Sequence, residues 1–142
     1  MRTFFFALLP FLFLACSDDD DATPIVDCGP EIEFFDLTVI PASDGYTITE
    51  ATVTDRCLEV TLAATGCSAE AWTAELLTNG VVAESSPTQT SAFLTVDLQQ
   101  DSIVCQAVFQ RTFTFDLRPY LTDAVLPSRF RIQGPDVEIL VE

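Results

Sequence analysis

From residue 31 to the end of the chain, apolar and polar residues alternate in short runs, and turn-forming residues separate the runs. A two-residue period places alternate side chains on opposite faces of a strand, and Gly, Pro, Asn and Asp clusters mark where strands stop. No segment shows the periodicity of an amphipathic helix. The pattern predicts strands over 31–40, 46–54, 57–65, 72–77, 81–85, 92–98, 104–117, 129–133 and 137–141.

Short strands at this spacing predict an all-β domain. About seven to nine strands suit an antiparallel immunoglobulin-like β-sandwich, and a small closed β-barrel is the alternative. Asp55-Arg56 predicts a tight turn, and Asn79-Gly80 predicts a hairpin between the strands over 72–77 and 81–85. On the strand over 92–98, Leu94, Val96 and Leu98 form the expected inward set, and Phe93 falls on the opposite face.

A different pattern opens the chain, where Arg2 precedes an apolar stretch over 3–14. This stretch is too short to cross a bilayer, which needs about 20 apolar residues. Its length and flanks predict a secretory signal peptide over 1–15. The Ala15-Cys16 step resembles the lipobox of bacterial lipoproteins, although Phe13 stands where that family prefers leucine. The resemblance implies cleavage before Cys16 and acylation of its thiol; the alternative is an ordinary signal peptide followed by a chance cysteine.

Directly behind that cysteine lies the acidic run Ser17, Asp18, Asp19, Asp20 and Asp21. It resembles the export signal that directs lipoproteins of Bacteroidota to the outer face of the outer membrane. The resemblance implies a lipid-anchored protein at the cell surface, and a periplasm-facing anchor is the alternative. Like charges in a row also predict a solvated, disordered tether over 16–27. A calcium site is disfavoured, because the run lacks the spacing and turn glycine of calcium loops.

Composition narrows the functions open to the remaining domain over 28–142. The chain has 22 acidic residues, 6 basic residues and a formal net charge of −16, so a nucleic-acid backbone would be repelled. It has no histidine. Ser-His and Cys-His nucleophile pairs and histidine metal sites are therefore excluded. We expect no cofactor and no metal, and no enzyme activity.

Five cysteines occur, and four of them remain for the domain if Cys16 carries lipid. An even number of cysteines in an exported chain predicts two disulfides, with three possible connectivities. We favour Cys67–Cys105 and Cys28–Cys57, the second of which would tie the amino end of the domain to its body. A four-cysteine zinc site is the competing interpretation, but no C-x2-C pair is present.

Several segments between Cys57 and Leu121 resemble a family of small uncharacterised lipoproteins of Bacteroidota. The shared features are a C-L-x-V strand, a Gly-Cys pair, an A-E-S-x-P segment and an F-D-L-x-P segment. In this chain they read CLEV, GC, AESSP and FDLRP. Some members have a histidine shortly after Gly-Cys, and this chain has none. The resemblance implies fold and location only.

Arg111 is a charged residue among apolar ones on the strand over 104–117. One interpretation is an anion or carboxylate site, with Glu59 or Glu75 as a structural partner. The favoured alternatives are that this strand face is partly exposed or that a bulge turns Arg111 outward, because an unpaired buried charge is costly. Arg118, Arg129 and Arg131 lie in the same third of the chain. They could form a shared basic patch with Arg111, or each could offset acidic residues nearby.

Other candidates are aromatic and acidic residues. Trp72, with Tyr46 and Tyr120, could stack on sugar rings, although a lone tryptophan in a sandwich is more often core. Asp97, Asp101 and Asp116 could supply paired carboxylates for glycoside chemistry, but their spacing does not indicate the required geometry. The expected function is a non-catalytic, membrane-anchored binding or accessory domain for an unknown extracellular or periplasmic ligand. The alternative is a carbohydrate-binding module of a surface glycan-utilisation system.

Overall fold

The computed structural model describes residues 27–36, 45–99 and 105–142, and these residues form nine strands and no helix. Cys16 and the acidic run lie outside the described residues, as do most of the predicted tether, 37–40 and 101–104. The strands are β1 (Glu33–Phe34), β2 (Tyr46–Thr54), β3 (Cys57–Gly66), β4 (Thr73–Thr78), β5 (Val82–Ala83), β6 (Thr88–Asp97), β7 (Ala107–Asp116), β8 (Ser128–Gln133) and β9 (Val137–Val141).

The strands form two sheets, which make the chain a β-sandwich. The smaller sheet is antiparallel, in the order β2-β3-β7. The larger has the order β1-β4-β6-β8-β9, with β5 pairing to β6. Among the described strands neither sheet closes on itself, so the sandwich is confirmed over the closed barrel.

The larger sheet departs from the expected antiparallel arrangement at two pairs. β1 pairs with β4 in parallel, and so does β6 with β8. Between β6 and β8 the chain passes through the smaller sheet as β7, and a connection that visits the other sheet can return in the same direction. Local alternation along a strand carries no information about such crossovers.

The core lies between the sheets and follows the predicted two-residue period. In β3 alternate residues are fully buried, and β6 and β8 contribute in the same way from the other sheet. Apolar side chains of this size each contribute roughly 1.5–3 kcal/mol when buried. The buried set includes Leu58, Val60, Leu62, Leu76, Ala92, Leu94, Phe115, Leu117, Phe130 and Ile132.

The amino-terminal segment of the described domain links the two sheets. The amide of Ile32 donates to the carbonyl of Asp116 at the end of β7, at 2.9 Å. Three residues later the amide of Phe35 donates to Thr78 of β4, also at 2.9 Å. The segment therefore bridges β7 of the smaller sheet and β4 of the larger sheet. The side chain of Ile32 is buried in the core.

Both predicted disulfides are confirmed, as Cys28–Cys57 and Cys67–Cys105. The first joins the amino-terminal segment to the start of β3. The second joins the residue after β3 to a residue just before β7, and these two strands are neighbours.

Local turns were predicted more accurately than strand partners. The Asp55-Arg56 turn is confirmed, with φ of 50° and 63°, the left-handed values that a tight two-residue hairpin uses. The hairpin expected at Asn79-Gly80 is wrong, because β5 pairs with β6 and not with β4. Gly80 does have a positive φ of 73°, so a turn is present, but the chain leaves β4 after it.

Candidate functional site at Arg111

Arg111 lies on the core-facing side of β7. It is opposite Leu62 in the β3–β7 register, on the same strand face as Phe109 and Phe113. That register runs without interruption from Cys57 to Gly66, so no bulge turns Arg111 outward. The expectation of a partly exposed face is met, since Arg111, Phe109 and Phe113 are all half-buried. Neither Glu59 nor Glu75 pairs with Arg111 in the described structure.

The partners of Arg111 are backbone carbonyls of the loop between β3 and β4. Its Nη1 lies 2.9 Å from the oxygen of Ala69, 2.6 Å from that of Glu70 and 2.7 Å from that of Trp72. The guanidinium carbon also lies 5.0 Å from the centre of the Phe113 ring, within cation–π range. Nη1 thus contacts three carbonyls of the loop between β3 and β4. The Phe113 ring lies against the guanidinium.

The disulfide Cys67–Cys105 braces the same loop from its other end. Cys67 begins the loop, and Cys105 lies two residues before β7. The loop is therefore fixed to β7 twice, once covalently and once through Arg111. This leaves the guanidinium with a defined orientation.

Arg111 differs from the other arginines of the described residues in its lack of a carboxylate partner. Arg118 binds Asp116 through Nε and Nη2, at 2.8 and 2.6 Å. The other ion pairs are Arg56–Asp123, Arg129–Glu138 and Arg131–Asp136. Within 27–36, 45–99 and 105–142, nothing accepts a hydrogen bond from Nε or Nη2 of Arg111. Arg118 uses the same Nε–Nη2 edge to bind the carboxylate of Asp116.

An open pocket of about 520 Å³ lies beside this guanidinium. Its floor comes from Phe109 and Arg111 of β7, and its wall from the loop residues Ser68, Ala69 and Glu70. The Ser68 hydroxyl accepts a hydrogen bond from the Glu70 amide at 3.1 Å, which shapes the wall. The pocket combines an aromatic surface, a hydroxyl and a fixed cation, and Glu70 is its acidic residue.

Trp72 meets Arg111 through its backbone, but its ring does not line this pocket. Its side chain is only 2% exposed. The ring is therefore placed as a core residue, without a free face for a sugar to stack on.

The two tyrosines also serve packing. The hydroxyl of Tyr120 donates to the carbonyl of Val81 at 2.6 Å, and Tyr120 is buried. The hydroxyl of Tyr46 donates to the carbonyl of Leu94 at 2.8 Å and so links the sheets. Each polar tip satisfies a carbonyl while the ring contributes apolar surface.

The two candidate acidic residues that the structure describes, Asp97 and Asp116, have separate partners. Asp97 caps a turn by accepting from the amide of Gln99 at 2.8 Å. Asp116 is bound by Arg118, whose side-chain hydrogen bonds hold the pKa of Asp116 below its ordinary value. Asp101 lies outside the described residues. Paired carboxylates for glycoside chemistry are not formed by Asp97 and Asp116.

The arginines of the last third do not share one patch. Arg129 and Arg131 lie on the outer face of the larger sheet, where they line a polar concavity of about 240 Å³ with Gln133 and Glu138. Arg111 lies on the inner side of the smaller sheet.

No three Cys, Asp or Glu side chains of the described ranges are grouped so that they could hold a metal ion. In the same part of the chain, no helix has the length and hydrophobicity needed to cross a membrane.

Comparison with known proteins gives no family. No protein-family model matches the chain, and no curated protein matches it. One solved structure is similar in part, a protein of unknown function, DUF1344, from Bacteroides vulgatus. The identity is 12% and the TM-score 0.49, over 70% of this chain and 48% of that one. The chain thus spans about half the length of that protein.

Proposed function

We propose that this chain is a lipid-anchored surface lipoprotein whose β-sandwich is a non-catalytic binding domain for a ligand with a carboxylate. The lipobox-like Ala15-Cys16 step and the four following aspartates support the anchor and its surface location. Each buried CH₂ of an acyl chain contributes roughly 0.8 kcal/mol, and stable anchoring takes about two chains.

The observation that carries the binding site is the unpaired edge of Arg111. The chain has 22 acidic residues, yet none in the described ranges pairs with this arginine, while every other arginine there has a carboxylate. A guanidinium fixed in place loses little freedom on binding, and its Nε–Nη2 edge fits both oxygens of a carboxylate. An anionic group from outside the chain would complete the arrangement that Asp116 gives to Arg118.

The lack of histidine supports a binding role rather than a catalytic one. Histidine is the usual general base near neutral pH, and the chain contains none. The pocket at Arg111 offers a cation, a hydroxyl and an aromatic ring, which orient a ligand without activating a nucleophile. We therefore propose recognition at this pocket, with Arg111 as the binding residue.

A titration of the purified domain with sodium acetate tests the site. We expect the Nε–H resonance of Arg111 to shift in nitrogen-edited NMR spectra, together with the amides of Ser68 and Phe109. The ion-paired Arg129 provides the matched control resonance, and Arg111→Gln should abolish the shifts. Equal shifts at Arg111 and Arg129, or none at either, would refute the site.

A carbohydrate-binding module is the second candidate, and the outer face of the larger sheet favours it. Arg129, Arg131, Gln133 and Glu138 line a polar concavity there, and such groups can bind sugar hydroxyls. A glycan array with the wild type and an Arg129→Gln/Arg131→Gln variant tests it. Binding that the double variant loses and Arg111→Gln keeps would favour this function over the first.

A further inference from the structure

The outer edge of β7 carries backbone hydrogen-bonding groups that have no partner among the described residues. The amide of Asp116 donates to the carbonyl of Pro30, and its carbonyl accepts from the amide of Ile32, each at 2.9 Å. The backbone N–H and C=O of Asp116 therefore point away from β3. In an antiparallel pair, residues alternate between pairing with the partner and pointing outward. The N–H and C=O groups of Val108, Gln110 and Thr112 therefore point outward as well.

This part of the edge is open in the described structure. The amino-terminal segment covers only the far end of β7, where a Cβ on Gly29 would lie 2.6 Å from the carbonyl oxygen of Thr114. The side chains at Gln110 and Thr112 are exposed, and Val108 is 70% exposed. An unpaired row of N–H and C=O groups is a template for an added strand.

The open edge and the Arg111 pocket lie next to each other. Arg111 falls between Gln110 and Thr112 in sequence, with its side chain on the inner side of β7. An added strand would lie about 4.8 Å from β7 and turn alternate side chains to that side. One of them would therefore lie beside the Arg111 side chain, on the same face of the sheet.

We propose that the ligand is an extended peptide that adds to the edge of β7 through Val108, Gln110 and Thr112 and places a carboxylate on Arg111. This inference rests on the proposed function and names its ligand class. Main-chain hydrogen bonds supply affinity in strand addition, and side-chain contacts supply specificity. The carboxylate comes from an acidic side chain or from the carboxyl terminus of the peptide.

A second copy of the chain fits this edge less well. From Ala107 to Phe115, β7 has no carboxylate, so a second β7 would bring another Arg111 and no partner for it. Each copy also has a formal net charge of −16, which opposes close approach. A short peptide with a single carboxylate is repelled far less.

Glu70 sets the charge balance at the pocket. It is exposed, and its carboxylate makes no ion pair with Arg111 among the described residues. It would repel an incoming carboxylate, so Glu70→Gln should tighten peptide binding. The same substitution would have no such effect if Arg111 only fixed the loop.

The test uses the oxidised domain and three short peptides of alternating Thr and Val. One has a central Glu and blocked ends, the second has Gln in its place, and the third has Gln with a free carboxyl terminus. We expect the first or third to bind, which identifies the source of the carboxylate, and the second to bind about tenfold more weakly. Amide hydrogen exchange at Val108, Gln110 and Thr112 should slow in the complex.

Two variants separate the parts of the proposal. Gln110→Pro removes one outward N–H, and proline is tolerated on an edge strand where that group faces solvent. It should weaken peptide binding and leave the acetate shift at Arg111 intact. Arg111→Gln should lose the preference for the carboxylate peptides. Unfolding curves for both variants verify that the fold is kept.

The outcomes distinguish strand addition at β7 from the proposed carboxylate binding at Arg111. Acetate binding without slowed exchange at the edge would overturn strand addition and leave the Arg111 site standing. Equal binding of all three peptides would overturn the carboxylate and with it the proposed function. Slow exchange at the edge of the free domain, which disappears on dilution, would assign the edge to a second copy and overturn the peptide.

Discussion

Arg111 donates a hydrogen bond to the backbone carbonyl of Trp72, with 2.7 Å between Nη1 and the oxygen. The same nitrogen serves Ala69 and Glu70, so one charged group satisfies three carbonyls of a loop. A charged residue in an apolar strand thus fixes the loop that connects the two sheets. Arg111 also lines the pocket beside this loop.

Removing the charge at position 111 should loosen the loop between β3 and β4. We expect Arg111→Leu to lower the free energy of unfolding by about 1–3 kcal/mol, because it leaves loop carbonyls without a donor. Arg111→Lys should cost less, since an ammonium can reach some of these oxygens. Urea unfolding of both variants measures the difference, and equal stability of Arg111→Leu and wild type would contradict this structural role.

Trp72 should behave as a core residue and not as a ligand platform. Its side chain is 2% exposed, so Trp72→Ala should cost about 3–5 kcal/mol of stability. Trp72→Phe keeps an aromatic ring and should cost less. Thermal unfolding compares the two, and a fully stable Trp72→Ala with selectively lost ligand binding would reverse the assignment.

Sequence patterns predicted the strands well where one face is apolar. The strands over 46–54 and 137–141 have the predicted bounds, and the alternation at Leu94 and Phe93 is correct. β6, however, begins at Thr88 rather than at residue 92. The first buried residue of β6 is Thr90, whose hydroxyl lies 2.8 Å from that of Ser128. A buried polar pair of this kind looks like a loop in sequence.

The site at Arg111 was only partly predictable for a related reason. The residue itself was identified, because a charge in an apolar run is conspicuous. Its partners are carbonyls of Ala69, Glu70 and Trp72, and every residue has a carbonyl, so no side-chain pattern marks them. The open edge of β7 depends on strand order, which alternation does not determine.

The disulfide Cys67–Cys105 should support both stability and the pocket. Its sequence separation is 38 residues, for which loop-closure entropy gives roughly 3–4 kcal/mol. Replacing both cysteines by serine should lower stability by that order and weaken acetate binding at Arg111. The Cys28–Cys57 double variant is the control, because it should lower stability without affecting the pocket. Equal effects on acetate binding would show that the loop does not depend on the nearer bridge.

Asp116 should give the domain a distinct acid sensitivity. Hydrogen bonds from Arg118 hold the pKa of Asp116 below its ordinary value, while burial opposes this shift. A carboxyl group whose pKa is lower in the folded state stabilises the fold above its unfolded pKa, about 3.9. That stabilisation is lost as pH falls through the folded pKa. Urea unfolding below pH 5 should show a steeper decline for wild type than for Asp116→Asn, and parallel declines would argue against the linkage.

The amino-terminal segment supports a prediction about location. If Cys16 carries the lipid, Cys16→Ser should release the protein from the membrane fraction, because an unacylated chain lacks the apolar anchor. Changing Asp18, Asp19, Asp20 and Asp21 to Ala should keep the lipid anchor and remove only the export to the cell surface. Added protease should then digest the wild type on intact cells and spare the four-alanine variant. Digestion of both to the same extent would show that the aspartates do not act as the export signal. Protection of both would place the domain, with its Arg111 pocket, on the periplasmic side, where its ligands should then be sought.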